Sequence, residues 1–135
     1  MLAQHLMLIA AGIVLAMGSG HMVLTFFSRA FFPRDETLKE KMQSTAARFN
    51  TRMQMWNAWI GFNASHSMGP MLFGLIYGYL SLMHPEFLLS SQFLMWLGAA
   101  ALAFYLFLAM RYWFYLPLIG ITVSLSFYIA GMLTA

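Results

Sequence analysis

The amino-acid sequence predicts an all-α protein, an integral membrane antiparallel four-helix bundle. Of its 135 residues, 61% are hydrophobic and 8% are charged, whereas an ordinary soluble domain carries about 25% charged residues. The seven basic and four acidic residues leave four long uncharged stretches, and each is long enough to cross a bilayer, which takes about 20 apolar residues. We therefore predict a single transmembrane domain, residues 1–135, whose spans cover about residues 4–32, 53–83, 90–110 and 113–134.

The first predicted span begins near Gln4 and ends at Phe32. Pro33 follows it, and proline disfavours helical geometry in the residue before it. No Lys or Arg precedes Arg29, whereas a secretory signal peptide opens with a positively charged region. We therefore expect this helix to stay in the membrane.

A helix is also predicted for the basic segment that follows, residues 33–52. Asp35 and Glu36 suit the positive end of a helix dipole, and residues 37–52 contain many good helix formers. We expect this helix to run unbroken into the second span. The second helix would then extend out of the membrane by several turns.

Short connections join the later spans. After the third span the chain must turn between Arg111 and Pro117, and the Tyr and Trp residues of that turn are typical of a membrane interface. Short connections favour antiparallel neighbours, and small residues four apart allow close helix contacts. These small residues are Gly12, Ala16, Gly20, Gly74, Gly78, Gly120 and Ser124.

The basic residues predict the orientation in the membrane. All of them lie in the first and third connections: Arg29, Arg34, Lys39, Lys41, Arg48, Arg52 and Arg111. By the positive-inside rule that side is the cytoplasm, so we expect both termini outside the cytoplasm and a bacterial inner membrane as the location. Asp35, Glu36 and Glu40 accompany the basic residues, so we attribute the positive charge to membrane topology and expect no nucleic-acid partner.

The absence of certain residue types excludes several chemistries. The chain has no cysteine, which removes disulfides, thiolate nucleophiles and iron–sulfur clusters. No carboxylate lies inside a predicted span and no phosphate-binding P-loop motif is present, so a carboxylate-rich metal site and P-loop phosphoryl transfer are excluded. We assign no metal site and no catalytic residue, and the cofactor stays open. Any acid–base chemistry would fall to His21 or His66, because histidine changes charge near neutral pH.

A polar stripe on the second span is the most informative feature. Its residues recur at three- and four-residue intervals and so share one helix face. Unpartnered polar groups are costly inside a membrane, so this face is expected to turn toward other helices or a wet cavity. Pro70 displaces the carbonyl of His66 and predicts a bend there. The stripe consists of Arg52, Trp56, Trp59, Asn63, His66, Ser67, Pro70 and Gly74.

The first span supplies a counterpart, His21 with Thr25 one turn later. At about 1.5 Å per residue from the charged helix ends, His21 lies about 12 Å deep, Asn63 about 16 Å and His66 about 21 Å. We therefore expect His21 near the level of Asn63, so that one pocket can include residues of both helices. The predicted ligand-binding residues are His66, Asn63, Ser67, Trp59, Trp56, His21 and Thr25.

Other interpretations of these residues stay open. Buried His, Asn and Ser side chains often do no more than hydrogen-bond neighbouring helices. Two imidazoles on neighbouring helices can also supply both axial ligands of haem b. No second histidine pair exists in the spans, and no basic residue lies on the outer half to receive haem propionates. Haem binding is therefore the less favoured alternative.

Two motifs resemble those of a known group of proteins. The motifs are G-S-G-H at residues 18–21 and W-N-A-W-I-G-F-N-A-S-H-S-M-G at residues 56–69. They resemble small bacterial four-span integral membrane proteins of unknown function. This resemblance covers most of the chain and implies no activity.

A second resemblance is weaker. Arg48, Arg52 and Asn57 are similar to parts of the second helix of membrane-associated eicosanoid and glutathione metabolism proteins. Arg111 with Tyr112 is similar to the Arg/Tyr pair at that family's third-to-fourth turn. The resemblance implies four spans, outer termini, trimeric assembly and a glutathione-transferase-like enzyme.

Composition and polar stripe together favour a small four-span membrane protein with an intramembrane polar pocket. The expected function is binding of a hydrophobic small molecule, a lipid or a quinone, or an accessory role beside a larger membrane complex. Expected partners are membrane lipid, that small molecule, and either copies of the same chain in a homo-oligomer or a larger membrane complex. The alternative is a trimeric membrane enzyme similar to glutathione transferases. Haem b binding is the less favoured, third interpretation.

Overall fold

The structure, a computed structural model, describes residues 1–135 and is dominated by helices. Six helices and one short two-stranded hairpin follow one another along the chain. The all-α class predicted from the sequence is confirmed. In chain order the elements are α1 (Leu2–Phe27), α2 (Glu36–Ser44), β1 (Ala46–Ala47), β2 (Asn50–Gln54), α3 (Met55–Met83), α4 (Pro85–Ser90), α5 (Gln92–Tyr112) and α6 (Tyr115–Leu133).

Three helices, α1, α5 and α6, are long and apolar enough to cross a membrane. The helix α3 is longer, with 29 residues, but it falls short of them in mean hydropathy. The reason is local, because Asn63, His66 and Ser67 lie in its first half, before Pro70. The structure thus contains three candidate spans where the sequence predicted four.

The first helix ends earlier than predicted, at Phe27 and not at Phe32. The Ser28 hydroxyl donates to the carbonyl of Leu24 (2.6 Å) and accepts from the amide of Ala30 (3.1 Å). Such side-chain bonds offer the backbone an alternative to the helical ladder. The chain therefore turns before it reaches the proline.

The helix predicted for residues 33–52 is present only as α2, and the prediction that it continues into the second span is wrong. The helix α2 ends at Ser44, because Thr45 is extended (φ −97°, ψ 126°), and the antiparallel strands β1 and β2 separate α2 from α3. Thr45 and Asn50 are poor helix formers. The Asn50 side chain also accepts from the amide of Arg52 (2.9 Å), which stabilises the hairpin.

The connection between α3 and α5, predicted from the sequence only as short, contains a further short helix, α4. Pro85 stands at its start, where the missing amide hydrogen of proline costs no helical bond. The Ser91 hydroxyl then caps α5 by accepting from the amide of Leu94 (3.4 Å). The third predicted span therefore begins two residues late, at Gln92 of α5, and α6 likewise begins at Tyr115, two residues after the predicted start of the fourth span.

The chain divides into two compact units, of which the first comprises residues 1–17 and 70–135. It combines the start of α1 and the end of α3 with α4, α5 and α6. Helices are joined by hydrogen bonds in which Ser124 donates to the carbonyl of Ala10 (2.9 Å) and Tyr128 donates to that of Met95 (3.1 Å). The buried core of this unit is Met7, Ala10, Ala11, Val14, Phe73, Tyr77, Leu88, Met95, Ala99, Leu102 and Tyr128.

Gly74 permits a close approach of α3 to α1 in this unit. A methyl group at its Cα would lie 2.7 Å from the carbonyl oxygen of Ala11 and 2.9 Å from the Cα of Leu15. Only glycine fits there without a shift of backbone. The predicted close contacts of Gly12 and Gly20 are not present, since nothing lies within 4 Å of a methyl group added at either residue.

The second unit comprises residues 18–69. It contains the end of α1, the helix α2, the hairpin and the first half of α3. The indole N–H of Trp59 donates to the carbonyl of Phe31 (2.9 Å), and the amide of Met55 donates to the carbonyl of Thr45 (2.9 Å). These bonds hold the connecting segment and the hairpin against α3. All seven predicted ligand-binding residues lie in this unit.

Candidate ligand-binding site

A hydrogen bond between α1 and α3 lies at the centre of the site. The Nε2 atom of His21 and the Oδ1 atom of Asn63 are 3.2 Å apart, and the Nδ2 atom of Asn63 donates to the carbonyl of Trp59 (2.9 Å). The Asn63 amide nitrogen thus faces Trp59, so its oxygen faces the imidazole and must accept from it. Neutral His21 therefore carries its hydrogen on Nε2 and keeps Nδ1 as an acceptor.

His66 lies beside this pair, one turn further along α3. Its ring centroid is 5.4 Å from that of His21, with the rings edge to face, and 6.1 Å from that of Phe62, with the rings stacked. Both imidazoles are half-buried, and Asn63 is buried. The structure thus brings His21, Asn63 and His66 into one group, which we call the polar cluster.

Pro70 lies inside α3, which continues through it as one helix. Proline has no amide hydrogen and so cannot donate to the carbonyl of His66, as a residue at this position of a regular helix would. Pro70 therefore alters the backbone hydrogen bonding at the polar cluster without ending the helix.

Thr25 and Ser67, two further predicted site residues, are bonded within their own helices. The Thr25 hydroxyl donates to the carbonyl of His21, and the Ser67 hydroxyl donates to that of Asn63, both at 2.8 Å. Both side chains are buried. Because their hydroxyl hydrogens are already used, they support the backbone of the polar cluster and offer no donor to a ligand.

An open pocket of about 390 Å³ adjoins the polar cluster. Phe31 connects the two, because its ring lies 4.4 Å from the His21 ring and also lines the pocket. Trp59 forms another part of the wall, and its carbonyl accepts from Asn63. We call this the apolar pocket. Its lining residues are Ala30, Phe31, Phe32, Pro33, Met42 and Trp59.

Trp56, also predicted as a site residue, lines a different and smaller pocket. This pocket has a volume of about 200 Å³ and is otherwise lined by the amide side chains of Gln43, Gln54 and Asn57. We call it the amide pocket. The Trp56 ring packs edge to face on Phe32, with 4.9 Å between centroids. The two predicted tryptophans therefore belong to two pockets.

Asp35 fixes the start of α2. Its carboxylate accepts from the Thr37 hydroxyl (2.7 Å) and from the Thr37 amide (2.9 Å). These hydrogen bonds, led by that from the hydroxyl, hold the pKa of Asp35 below its ordinary value of 3.8. The cap matters for the site because Met42 of α2 lines the apolar pocket.

The polar cluster can hydrogen-bond a ligand and exchange protons with it. Imidazole both donates and accepts, and it changes charge near neutral pH. No group of three His, Asp or Glu side chains is placed to hold a metal ion. The axial ligands of a haem stand on opposite faces of a flat macrocycle, whereas His21 and His66 lie edge to face at 5.4 Å. The arrangement suits a small polar headgroup better than a haem.

The residues similar to eicosanoid and glutathione metabolism proteins lie outside the polar cluster. Arg48 and Arg52 are exposed and belong to the hairpin, not to α3. Asn57 lies in the first turn of α3, where its side chain donates to that of Gln54 (3.2 Å). The Arg/Tyr pair of α5 belongs to the other unit.

Sequence reasoning missed the residues of the connecting segment and α2 that line the apolar pocket. It placed Phe31 and Phe32 at the end of the first span. It placed Met42 on a helix that extends out of the membrane, away from the predicted site. In the structure, the early end of α1 brings this segment against Trp59. The available signal was the aromatic pair Phe31 and Phe32 before Pro33. This pattern does not specify a contact with Trp59.

Comparison with known proteins leaves the function to be argued from this geometry. No protein-family model, curated protein or solved structure matches the chain. The two resemblances drawn from the sequence therefore stay predictions.

Proposed function

We propose that this chain is a four-span membrane protein that binds a hydrophobic small molecule, a lipid or a quinone. The observation that carries the proposal is that Phe31 contacts the polar cluster and also lines the apolar pocket. Phe31 lies 4.4 Å from the His21 ring and lines the pocket. A molecule with an apolar body and a polar group beside it matches both parts.

The fourth span in this proposal is α3. Its 29 residues give a length of about 44 Å at 1.5 Å per residue, and the hydrocarbon core of a bilayer is about 30 Å thick. Asn63 and Ser67 are buried within the protein, as the polar side chains of a membrane helix are expected to be. Length and burial both support a membrane-spanning α3.

The proposed orientation places the basic segment between α1 and α3 in the cytoplasm and both termini outside, in a bacterial inner membrane. A topology reporter fused after Ala135 should report a position outside the cytoplasm. A reporter inserted near Lys41 should report the inside. A C-terminus in the cytoplasm would contradict the span count or the orientation.

In the proposed mode of binding, the apolar body of the ligand lies against Phe31, Met42 and Trp59. One polar group of the ligand hydrogen-bonds the imidazole of His21 or His66. Apolar contact supplies most of the affinity in such sites, while a few placed polar groups set the orientation. The proposal therefore assigns most of the affinity to the apolar pocket, and to the polar cluster the hydrogen bond that orients the ligand and helps to retain it.

Filling the apolar pocket tests the proposal. The full chain is purified in mild detergent, and native mass spectrometry identifies the lipophilic molecules that remain bound. Met42→Trp puts a larger side chain into the pocket, and Met110→Trp makes the same change at a position on α5 that is 63% exposed. Wild type and Met110→Trp should retain the same molecule, and Met42→Trp should lose it. Equal retention by all three proteins would contradict the proposal.

A further inference from the structure

The surroundings of the apolar pocket indicate a class of ligand. We infer that the chain binds an anionic phospholipid with a hydroxylated headgroup, whose phosphate lies at Lys39. This inference rests on the proposed function, because the acyl chain of the lipid would occupy the same apolar pocket.

Lys39 differs from the other basic residues between α1 and α3. It is half-buried, whereas the other five are exposed. Its Nζ atom lies 4.7 Å from the ring centroid of Phe32 and 5.9 Å from that of Trp56, and such cation–π contacts hold an ammonium group in place. Its ion pair with Glu36 is long, at 3.9 Å, and lies at the surface, so it is weak. The ammonium group is therefore positioned and open to a better anion.

The ammonium group of Lys39 also lies over one lining residue of each pocket. Phe32 lines the apolar pocket, and Trp56 lines the amide pocket. Their rings are in contact, with 4.9 Å between centroids, and Lys39 lies over both. A molecule in contact with both rings would therefore lie close to the ammonium group.

The linings of the pockets match the two ends of a phospholipid. Aromatic and aliphatic groups line the apolar pocket of about 390 Å³, which suits an acyl chain. Three amide side chains line the pocket of about 200 Å³, and because an amide both donates and accepts, they suit the hydroxyl groups of a glycerol headgroup. The positive charge of Lys39 attracts a net anionic lipid. A trimethylammonium headgroup would instead be recognised by an aromatic cage without a nearby cation.

Two charge-matched pairs of variants test this inference on the full chain. Protein in mild detergent is mixed with equal amounts of phosphatidylglycerol and phosphatidylcholine of the same acyl chains, and native mass spectrometry measures the apparent Kd of each lipid. Lys39→Gln is compared with Lys41→Gln, and Glu36→Gln with Glu40→Gln. Each pair changes the same charge on the same helix. Circular dichroism checks that all four variants keep their helical content.

Wild type should prefer phosphatidylglycerol, and Lys39→Gln should weaken that binding at least about tenfold, as expected for loss of a charge-assisted contact. Lys41→Gln should weaken it by no more than about fivefold, the effect of one general surface charge. Glu36→Gln should tighten phosphatidylglycerol binding more than Glu40→Gln does, because the loss of the Glu36 charge frees Lys39 from its ion pair. Equal effects within both pairs would overturn the inference.

The Met42→Trp variant separates this inference from the proposed function. If Met42→Trp abolishes binding of both lipids while the two lysine variants behave alike, the apolar pocket binds a ligand of another class, and only the inference about Lys39 fails. If Met42→Trp binds phosphatidylglycerol as wild type does, the acyl chain does not occupy the apolar pocket, and the inference fails together with the proposed function.

Discussion

Removing the hydrogen bond between His21 and Asn63 should lower the free energy of unfolding only slightly. It should reduce ligand retention strongly. Asn63→Ala removes the contact with Nε2 of His21 (3.2 Å) and the donation to the carbonyl of Trp59 (2.9 Å). The second bond lies within α3, so Asn63→Ala alone cannot isolate the first. A double-mutant cycle with His21→Ala does isolate it, because the cycle reports only the coupling between the two side chains.

The expected coupling energy is about 0.6 kcal/mol. Hydrogen bonds between membrane helices average about this value and reach at most about 1.7 kcal/mol. The distance of 3.2 Å between Nε2 and Oδ1 is at the long end of the usual range, so we expect the average and not the maximum. Asn63→Ala by itself also loses the bond within α3 and should cost about 1 to 1.5 kcal/mol in total.

The assay is reversible unfolding in mixed micelles, read beside ligand retention by mass spectrometry. Ser65→Ala is the control, because Ser65 is exposed on the same helix and lines neither pocket, and removal of its hydroxyl should change stability by no more than about 0.5 kcal/mol. A coupling energy indistinguishable from zero would refute the hydrogen bond. If Asn63→Ala and His21→Ala keep the full ligand complement while each loses well over about 1.7 kcal/mol, the polar cluster serves packing, and the binding proposal is wrong.

Three further predictions concern packing and pH. Gly74→Ala should destabilise the protein by about 1 to 3 kcal/mol, because its methyl group would lie 2.7 Å from the carbonyl oxygen of Ala11. Gly12→Ala, with nothing within 4 Å, should stabilise it by about 0.5 to 1 kcal/mol, and thermal unfolding in detergent compares the two variants. Ser81→Ala should raise stability by about 1 kcal/mol, since the buried Ser81 hydroxyl has no hydrogen-bond partner; a lower unfolding temperature would contradict that assignment. Because the pKa of Asp35 is lowered in the folded state, its cap contributes fully above the ordinary value of 3.8 and is lost as the pH falls through the lower folded-state pKa. Asp35→Asn should reduce the acid dependence of protease resistance in α2, and an unchanged pH profile would show that the cap does not titrate.

The sequence by itself determines that the chain is helical and has segments able to cross a membrane. Apolar length and the absence of charge are properties of continuous segments, so α1, α5 and α6 can be recognised without knowing what they contact. The sequence also identifies the face shared by Asn63, His66 and Ser67, because helical periodicity alone sets which residues point together.

The local sequence did not determine the secondary structure of the segment between α1 and α3. Residues 37–52 contain many helix formers, but propensity is a weak preference of less than about 1 kcal/mol per residue. The hydrogen bond of Ser28 lies at the end of α1, and that of Asn50 lies in the hairpin that separates α2 from α3. Helix propensity and local side-chain hydrogen bonds contribute free energies of similar size in such a segment. A sequence pattern therefore cannot show which of them determines its conformation.

Only the tertiary structure decides which residues form the site. The bond between Trp59 and Phe31 joins residues 28 positions apart, and the bond between His21 and Asn63 joins residues 42 positions apart. The apolar pocket and the position of Lys39 over Phe32 depend on the path of the connecting segment. Periodicity carries no information on that path, because it describes neighbours within one helix, whereas the path follows from contacts between segments that are distant along the chain.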